Sequence, residues 1–410
     1  MASISRVVSP LEEKTELRGG AGQLLAVFLC GTLAFLDLYC VQPLLPLLSR
    51  VMHASESAVG LTISAATLGV AVSAMLLAVF GERLDRKRTI VISMTALALS
   101  TLMTSTAHNL VQLAMWRLLE GLLTPGIFII TIAYVTEEWP ALQVPRAMSV
   151  YVAGTVFGGF VGRVSGGLLG GRVGWRPVFV LLGVLGLCGA AATQWLLRPA
   201  TMRRVAKKAE SIWTPVMRNL RSTRLLATFA IGFCMLFTLV SVFSYITFYL
   251  TEAPFLLSTD AISWLFSVYL FGLVATLIAG TVLAKVGLRA GMLAAVGCCL
   301  VGVGLTLIHL LPVVALGLAV ASSGVFVAQV CANSFLRDAA PAGGRVSAAG
   351  MYICSYYIGG TVGGVLPGLV WRMAGWPGCA GLTCGFLVIA GVTAFFGWRE
   401  KNGWAEPVPV

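Results

Sequence analysis

Charged residues are scarce in this chain of 410 residues, where Asp, Glu, Lys and Arg together make up 11%. Soluble domains carry roughly 25% charged residues, whereas hydrophobic residues here reach 58% with a mean hydropathy of +0.92. So few charges cannot cover a soluble surface. This excludes a globular cytosolic enzyme and a disordered or nucleic-acid-binding chain, despite the net charge of +12. A polytopic membrane protein is the class that remains.

Motifs for metal, disulfide or nucleotide chemistry are missing as well. The ten cysteines form no C-x-x-C pair, the three histidines form no cluster, and no G-x-x-x-x-G-K-[ST] loop is present. A membrane-embedded enzyme would need a cluster of His, Cys or carboxylates at one depth. We therefore expect the cysteines to be packing residues, and we expect no metal, no other cofactor and no enzymatic activity.

Long apolar stretches dominate the rest of the sequence, and a membrane-spanning helix needs about 20 apolar residues. We predict spans at approximately 22–46, 57–80, 89–107, 111–136, 147–170, 178–197, 225–250, 260–284, 291–310, 312–336, 347–370 and 377–397. The predicted fold is an all-α membrane protein with twelve transmembrane helices.

The distribution of Lys and Arg gives the orientation. With the N-terminus inside, the inner segments hold 22 of the 28 basic residues, the outer loops hold four, and two lie within spans. Cytoplasmic loops carry such an excess of basic residues. We therefore predict a multi-pass protein of the cell inner membrane with both termini in the cytoplasm.

An internal repeat divides the chain into halves. Residues 151–175 and 352–376 align without a gap at an offset of 201, and ten of the 25 positions are identical. The predicted parts are a cytoplasmic tail, an N-terminal six-helix bundle, a basic linker, a C-terminal six-helix bundle and a second cytoplasmic tail, at 1–21, 22–197, 198–224, 225–397 and 398–410. The basic linker is expected to lie against anionic membrane lipids. Two parallel six-helix repeats are one arrangement of secondary transporters.

Five segments bring out a family resemblance. Ala78–Lys87 keeps the acidic–basic pair and the basic end of the pattern G-x-L-A-D-R-x-G-R-K/R, with Ala78 and Asp85 in place of its two glycines, and Arg117–Gly121 follows R-x-x-Q-G with Glu in place of Gln. With these segments, the chain resembles the major facilitator superfamily over almost its full length. Leu36–Pro46, Gly158–Arg163 and Ser355–Gly360 resemble its YnfM type, which is related to arabinose-efflux permeases. The fifth span lacks the Gly-Pro of typical drug–proton antiporters.

The resemblance implies a pseudo-symmetric major facilitator fold and alternating access between the two bundles. It favours proton antiport, that is, efflux of a small organic compound (a drug-like molecule, a sugar or a metabolite) driven by inward proton movement. The alternative is proton-coupled uptake of a sugar or other nutrient on the same fold. The expected partners are the substrate, protons and membrane lipids, and the expected state is a monomer.

Four ionisable residues lie within the predicted spans away from their ends. These are Asp37, Arg117, Glu120 and Arg163, and their formal charges sum to zero. Such residues are costly in a bilayer, so we predict a role in proton coupling. Asp37 is the predicted proton-titrating carboxylate, and Arg117 is predicted to tune it. The alternative is a static buried ion pair that fixes helix packing.

A charged loop between the second and third spans is the predicted cytoplasmic gate. The resemblance implies that it forms salt bridges in one conformational state only, through Glu82, Arg83, Arg86, Lys87 and Glu137. The alternative is anchoring by positive charge alone.

Polar and aromatic side chains of both halves are predicted to line the substrate cavity. Tyrosine combines an apolar ring with a hydrogen-bonding group, which suits an organic ligand. The predicted lining residues are Tyr39, Gln42, Tyr245, Tyr249, Tyr356 and Tyr357.

Overall fold

The described part of the chain is built from α-helices. The computed structural model describes residues 20–80, 84–200, 213–341 and 344–398. Within those residues no strand occurs, and nine helices are long and apolar enough to cross a membrane. Helices suit a bilayer because they satisfy their backbone hydrogen bonds internally. The predicted all-α membrane fold is confirmed.

Twelve spans result when three further features are counted. The helical segment Ser347–Gly397 contains two helices that meet at the non-helical Gly375. The shorter Ala21–Leu36 and the less apolar Arg86–Thr104 complete the set. In chain order the spans are Ala21–Leu36 continued by Leu45–Met52 (α1), Glu56–Phe80 (α2), Arg86–Thr104 (α3), Leu110–Glu138 (α4), Val144–Val173 (α5), Trp175–Leu196 (α6), Thr223–Thr251 (α7), Thr259–Val286 (α8), Leu288–Leu305 (α9), Leu311–Ala339 (α10), 345–374 (α11) and 376–397 (α12). Each span overlaps one predicted stretch.

Local sequence explains where several spans begin. The Asp85 side chain accepts a hydrogen bond from the Arg88 N–H at 2.8 Å, and the Asn109 side chain accepts one from the Gln112 N–H at 2.8 Å. These caps satisfy N–H groups that the first turns of α3 and α4 leave free. Pro312 lies in the first turn of α10, where its missing N–H costs nothing.

The two halves, α1–α6 and α7–α12, repeat the same helix contacts. Gly158 of α5 lies against the carbonyl oxygen of Thr32 in α1, and Gly359 of α11 lies against that of Phe233 in α7. A Cβ at either glycine would overlap the facing oxygen, so the small residues allow this close approach. The two glycines and the two carbonyls are each 201 positions apart. The sequence repeat therefore corresponds to a repeated helix pair.

The predicted linker 198–224 contains a short helix, Trp213–Leu220, and α7 starts within it at Thr223. Asn219 of this linker helix donates from Nδ2 to the carbonyl oxygen of Gly344 at 3.0 Å, beside the start of α11. Residues 201–212 of the linker lie outside the described residues, as do 1–19 and 399–410 of the predicted tails.

Several contacts join the two halves on the side of the bundle opposite the start of α1 and the end of α12. The side on which α1 begins and α12 ends is called the terminal side, and the opposite one the far side. In the far half of the bundle, the Ser64 hydroxyl of α2 donates to the Thr361 carbonyl oxygen of α11 at 2.6 Å. At the far ends of α5 and α8, Arg172 forms an ion pair with Asp260 at 3.0 Å. These contacts hold the halves together on the far side.

Candidate functional site

A break in α1 places backbone carbonyls inside the protein. The helix ends at Leu36, and regular structure resumes with a 3-10 turn at Gln42–Leu44. Pro43 and Pro46 have no N–H, and their rings clash with the carbonyl four residues earlier, so a continuous α-helix cannot pass this point. Backbone carbonyls within the break must therefore find partners elsewhere.

Arg117 of α4 supplies those partners. Its guanidinium donates to the carbonyl oxygens of Asp37 at 3.0 Å and Leu38 at 2.7 Å. It also forms an ion pair with the Glu120 carboxylate one turn along α4. Arg117 is fully buried. The single positive charge of Arg117 thus satisfies carbonyl groups at the C-terminal end of the first part of α1, where the helix dipole favours positive charge.

The two buried carboxylates are held by threonines of α3. The Thr101 hydroxyl donates to Asp37 Oδ2 at 3.0 Å, and the Thr104 hydroxyl donates to Glu120 Oε1 at 2.6 Å. Asp37 Oδ1 is buried and has no hydrogen-bond partner among the described residues. Asp37, Arg117, Glu120, Thr101 and Thr104 are called the carboxylate cluster. It brings together three of the four predicted charges, and the ion-pair partner of Arg117 in it is Glu120.

The fourth predicted charge, Arg163 of α5, lies in a separate group. Its Nε donates to Gln42 Oε1 at 2.7 Å, and its Nη1 donates to the Gly159 carbonyl oxygen at 2.8 Å. The guanidinium carbon lies 4.6 Å from the ring centre of Tyr39 and 4.4 Å from that of Tyr269. These residues are called the arginine site. Two predicted cavity residues, Tyr39 and Gln42, belong to it.

The other predicted cavity residues lie in aromatic packing. Tyr245 is held by its bond to Gly364, and Tyr249 stacks on Trp376 with ring centres 5.8 Å apart. Tyr356 and Tyr357 contact each other edge to face at 5.5 Å.

Tyr356 and Tyr357 belong to a row of aromatic side chains that extends beyond them in both directions. Tyr357 of α11 stacks on Phe128 of α4 at 6.3 Å, and Phe128 contacts Phe35 of α1 at 6.0 Å. Tyr356 contacts Tyr352 at 6.0 Å. The row therefore crosses from one half of the protein to the other.

The predicted gate is described only in part. Glu82 and Arg83 lie outside the described residues, and Lys87 is half-buried near the start of α3. Arg86 donates from Nε and Nη2 to the two carboxylate oxygens of Glu137 at 3.0 and 3.1 Å. This bidentate ion pair joins α3 to α4 on the terminal side, within one half. The gating role stays a prediction.

Several site residues were not predicted from the sequence. Thr101 and Thr104 orient the carboxylates, and Tyr269 and Ser244 bring the second half to the arginine site. Threonines are common in membrane helices, so their types gave no signal. The break in α1 was not predicted either, although Pro43 and Pro46 could have indicated it.

An apolar groove with a volume of about 930 Å³, open to the protein surface, lies apart from all the predicted residues. It is formed by α8, α9 and α10 within the second half. Its lining includes Phe271, Ile278, Val282, Leu316 and Val320. It contains no charged side chain, which distinguishes it from the carboxylate cluster and the arginine site.

Solved structures of transporters share this fold. A mutant form of the nucleoside transporter NupG superposes with a TM-score of 0.77 at 13% identity, covering 92% of this chain and all of that one. A bacterial homologue of the human lysosomal transporter Spinster, inward-facing and unoccupied, gives a TM-score of 0.74 at 17% identity, covering 92% and 96%. At these identities the likeness concerns the fold alone.

Sequence relatives point the same way. The MFS-type transporter YybF of Bacillus subtilis and the inner membrane transport protein YnfM of Escherichia coli K12 are each 28% identical over 368 residues, or 89% of this chain and 90% and 88% of theirs. The drug efflux pump JefA of Mycobacterium tuberculosis is 27% identical over 191 residues, 46% of this chain and 35% of that one. The family model of the Major Facilitator Superfamily matches residues 27–257. With this match, the resemblance is confirmed: the chain belongs to the major facilitator superfamily of membrane transporters.

Proposed function

We propose that this transporter couples the movement of a small organic compound to that of protons, and that it exports the compound. The compound, a drug-like molecule, a sugar or a metabolite, crosses by alternating access of the two halves. The observation that carries the proposal is the buried Asp37 carboxylate, one of whose oxygens has no hydrogen-bond partner within the described part of the chain. Ionisable groups at such depth are costly and mark ion or proton pathways.

Contacts around Asp37 connect the binding of a proton there to the rest of the protein. With both carboxylates ionised, the carboxylate cluster has a net charge of −1, and a proton on Asp37 brings it to zero. Arg117 holds the backbone of Asp37 and Leu38, so this change acts on the break in α1. Just beyond the break, Gln42 donates to Ser244 of α7 at 3.3 Å. The proton therefore acts close to the contact between the halves, as coupling requires.

The orientation of the protein in the membrane and the direction of transport are supported by different observations. The excess of Lys and Arg on the terminal side supports a cytoplasmic location of both termini, in the cell inner membrane. Export is supported by the resemblance to efflux permeases and by the partial similarity to a drug efflux pump. The remaining proposed partners are membrane lipids, and the proposed state is a monomer.

Uptake of a sugar or other nutrient is the second candidate. A strongly polar cavity would favour it. The C-terminal spans hold no ionisable residue away from their ends, and the aromatic row of Tyr352, Tyr356 and Tyr357 faces the first half. These features favour an amphipathic compound over a sugar.

The test uses membrane vesicles from cells with and without the protein. In everted vesicles acidified inside, lipophilic cations, antibiotics, organic acids, pentoses and amino acids are added while a dye reports the pH gradient. We expect one class to collapse the gradient only when the protein is present, because antiport releases protons. If right-side-out vesicles instead take up protons with a compound, uptake replaces export. No response in either orientation would contradict proton coupling.

A further inference from the structure

Arg163 is a buried cation with no carboxylate partner among the described residues. Its side chain is 1% exposed, and within residues 20–80, 84–200, 213–341 and 344–398 no Asp or Glu forms an ion pair with it. Arg117, the other of the two arginines that lie away from the span ends, is paired with Glu120. A buried charge without a partner is strongly unfavourable. The arginine site thus contains a positive charge that no carboxylate of the described residues balances.

The hydrogen bonds of the guanidinium show the same deficit. Nε and Nη1 donate to two neutral acceptors, Gln42 Oε1 and the Gly159 carbonyl oxygen. Nη2 is buried and has no hydrogen-bond partner in the part of the chain that the structure describes. Buried donors are normally satisfied, so one left free calls for an explanation. An acceptor that arrives with a ligand would supply it.

The arginine site is built by both halves of the transporter. The guanidinium lies between Tyr39 of α1 and Tyr269 of α8, at 4.6 and 4.4 Å. Gln42, which accepts from Arg163, donates in turn to Ser244 of α7. A ligand bound here contacts groups that must move relative to each other in alternating access. This is the position expected of a transported compound.

We propose that Arg163 binds the anionic group, a carboxylate or phosphate, of the transported organic compound. A planar guanidinium matches both groups and binds them more strongly than neutral acceptors. Tyr356 and Tyr357 contact each other edge to face, Tyr357 stacks on Phe128 of the first half, and the two rings offer surface for the rest of the compound. The inference rests on the proposed transport of an organic compound and assigns its charge.

Direct binding to purified protein in lipid nanodiscs tests the charge without requiring transport. The probes are benzoate, benzamide and benzylamine, which share one ring, with phenyl phosphate and inorganic phosphate beside them. Binding is followed by the fluorescence of the ten tryptophans. We expect an aromatic anion to bind wild type at least about tenfold more tightly than benzamide or benzylamine.

Variants then assign the charge to Arg163. Arg163→Gln should lose this preference, and Arg163→Lys should keep part of it. Arg50→Gln is the control, because it removes an exposed charge at the far end of α1. Preserved anion binding by Arg163→Gln would overturn the proposal. If Arg163→Gln does not fold, Arg163→Lys and the wild-type comparison decide.

The wild-type comparison can also overturn the proposal alone. It fails if neither benzoate nor phenyl phosphate binds, if benzamide binds as tightly, or if inorganic phosphate binds as tightly as phenyl phosphate. The outcome is separable from the proposed function. Anion binding without proton-coupled flux would refute the coupling and keep the anion site, whereas coupled flux of neutral or cationic compounds that survives Arg163→Gln would do the reverse.

Discussion

Replacement of Asp37 by Asn is expected to abolish proton-coupled transport and to leave the protein folded. Asn has nearly the same shape and can still accept the hydrogen bond that Thr101 donates, but it cannot bind and release a proton. In everted vesicles the dye response to the substrate should fall to that of vesicles without the protein. Size-exclusion chromatography of the purified variant should show a profile like that of the wild type.

The control for this variant is Asp338→Asn, which removes a carboxylate that is 58% exposed and pairs only with the adjacent Arg337 among the described residues. It should keep the wild-type response. Exchange of substrate across the membrane without a pH gradient provides a second readout, since it needs no net proton movement. Asp37→Asn should retain that exchange. A wild-type dye response from Asp37→Asn would remove Asp37 from the coupling path and leave it as a packing residue.

Replacement of Arg117 by Gln is expected to destabilise the protein by about 3–5 kcal/mol, because it leaves the buried Glu120 carboxylate without a cation. It also weakens the hydrogen bonds to the carbonyl oxygens of Asp37 and Leu38 at the break in α1. Thermal unfolding in one detergent, followed by tryptophan fluorescence, measures the loss.

The double variant Arg117→Gln with Glu120→Gln should regain a large part of that stability, because no unpaired charge then remains in the pair. Arg337→Gln breaks an exposed ion pair and should change stability by less than about 1 kcal/mol. If Arg117→Gln unfolds at the wild-type temperature, or the double variant is no more stable than the single one, the buried ion pair is not the source of the stability.

The fold was largely predictable because the bilayer imposes a simple pattern. Each of the twelve predicted stretches overlaps one span, even α3, which is less apolar than the others. The repeat was also predictable, since Gly158 and Gly359 occupy equivalent contacts against α1 and α7. Both results depend on local sequence and on short-range packing rules.

The residues of the site could be predicted from their types, but the contacts between them could be predicted only in part. Burial cost alone singled out Asp37, Arg117, Glu120 and Arg163, and three of them share the carboxylate cluster. Which carboxylate pairs with Arg117 depends on the break in α1, which turns the Asp37 backbone toward the guanidinium. The absence of a carboxylate beside Arg163 in the described part of the chain depends on how the two halves dock. No pattern along the chain contains that information.

A disulfide across the far side tests alternating access most directly. A Cβ built on Gly171 at the end of α5 lies 3.3 Å from the Cβ of Thr259 at the start of α8, close to the spacing in a disulfide. In Gly171→Cys/Thr259→Cys, oxidation should therefore link the two halves where the far side must open. A protease site inserted within residues 201–212 reports the link, because the cleaved halves then stay together until reduced.

The measurement is substrate flux by the double-cysteine protein, oxidised and then reduced, beside each single-cysteine variant. Alternating access predicts that oxidation stops transport in the double variant only and that reduction restores it. Full transport by a protein whose halves are shown to be linked would contradict alternating access between them.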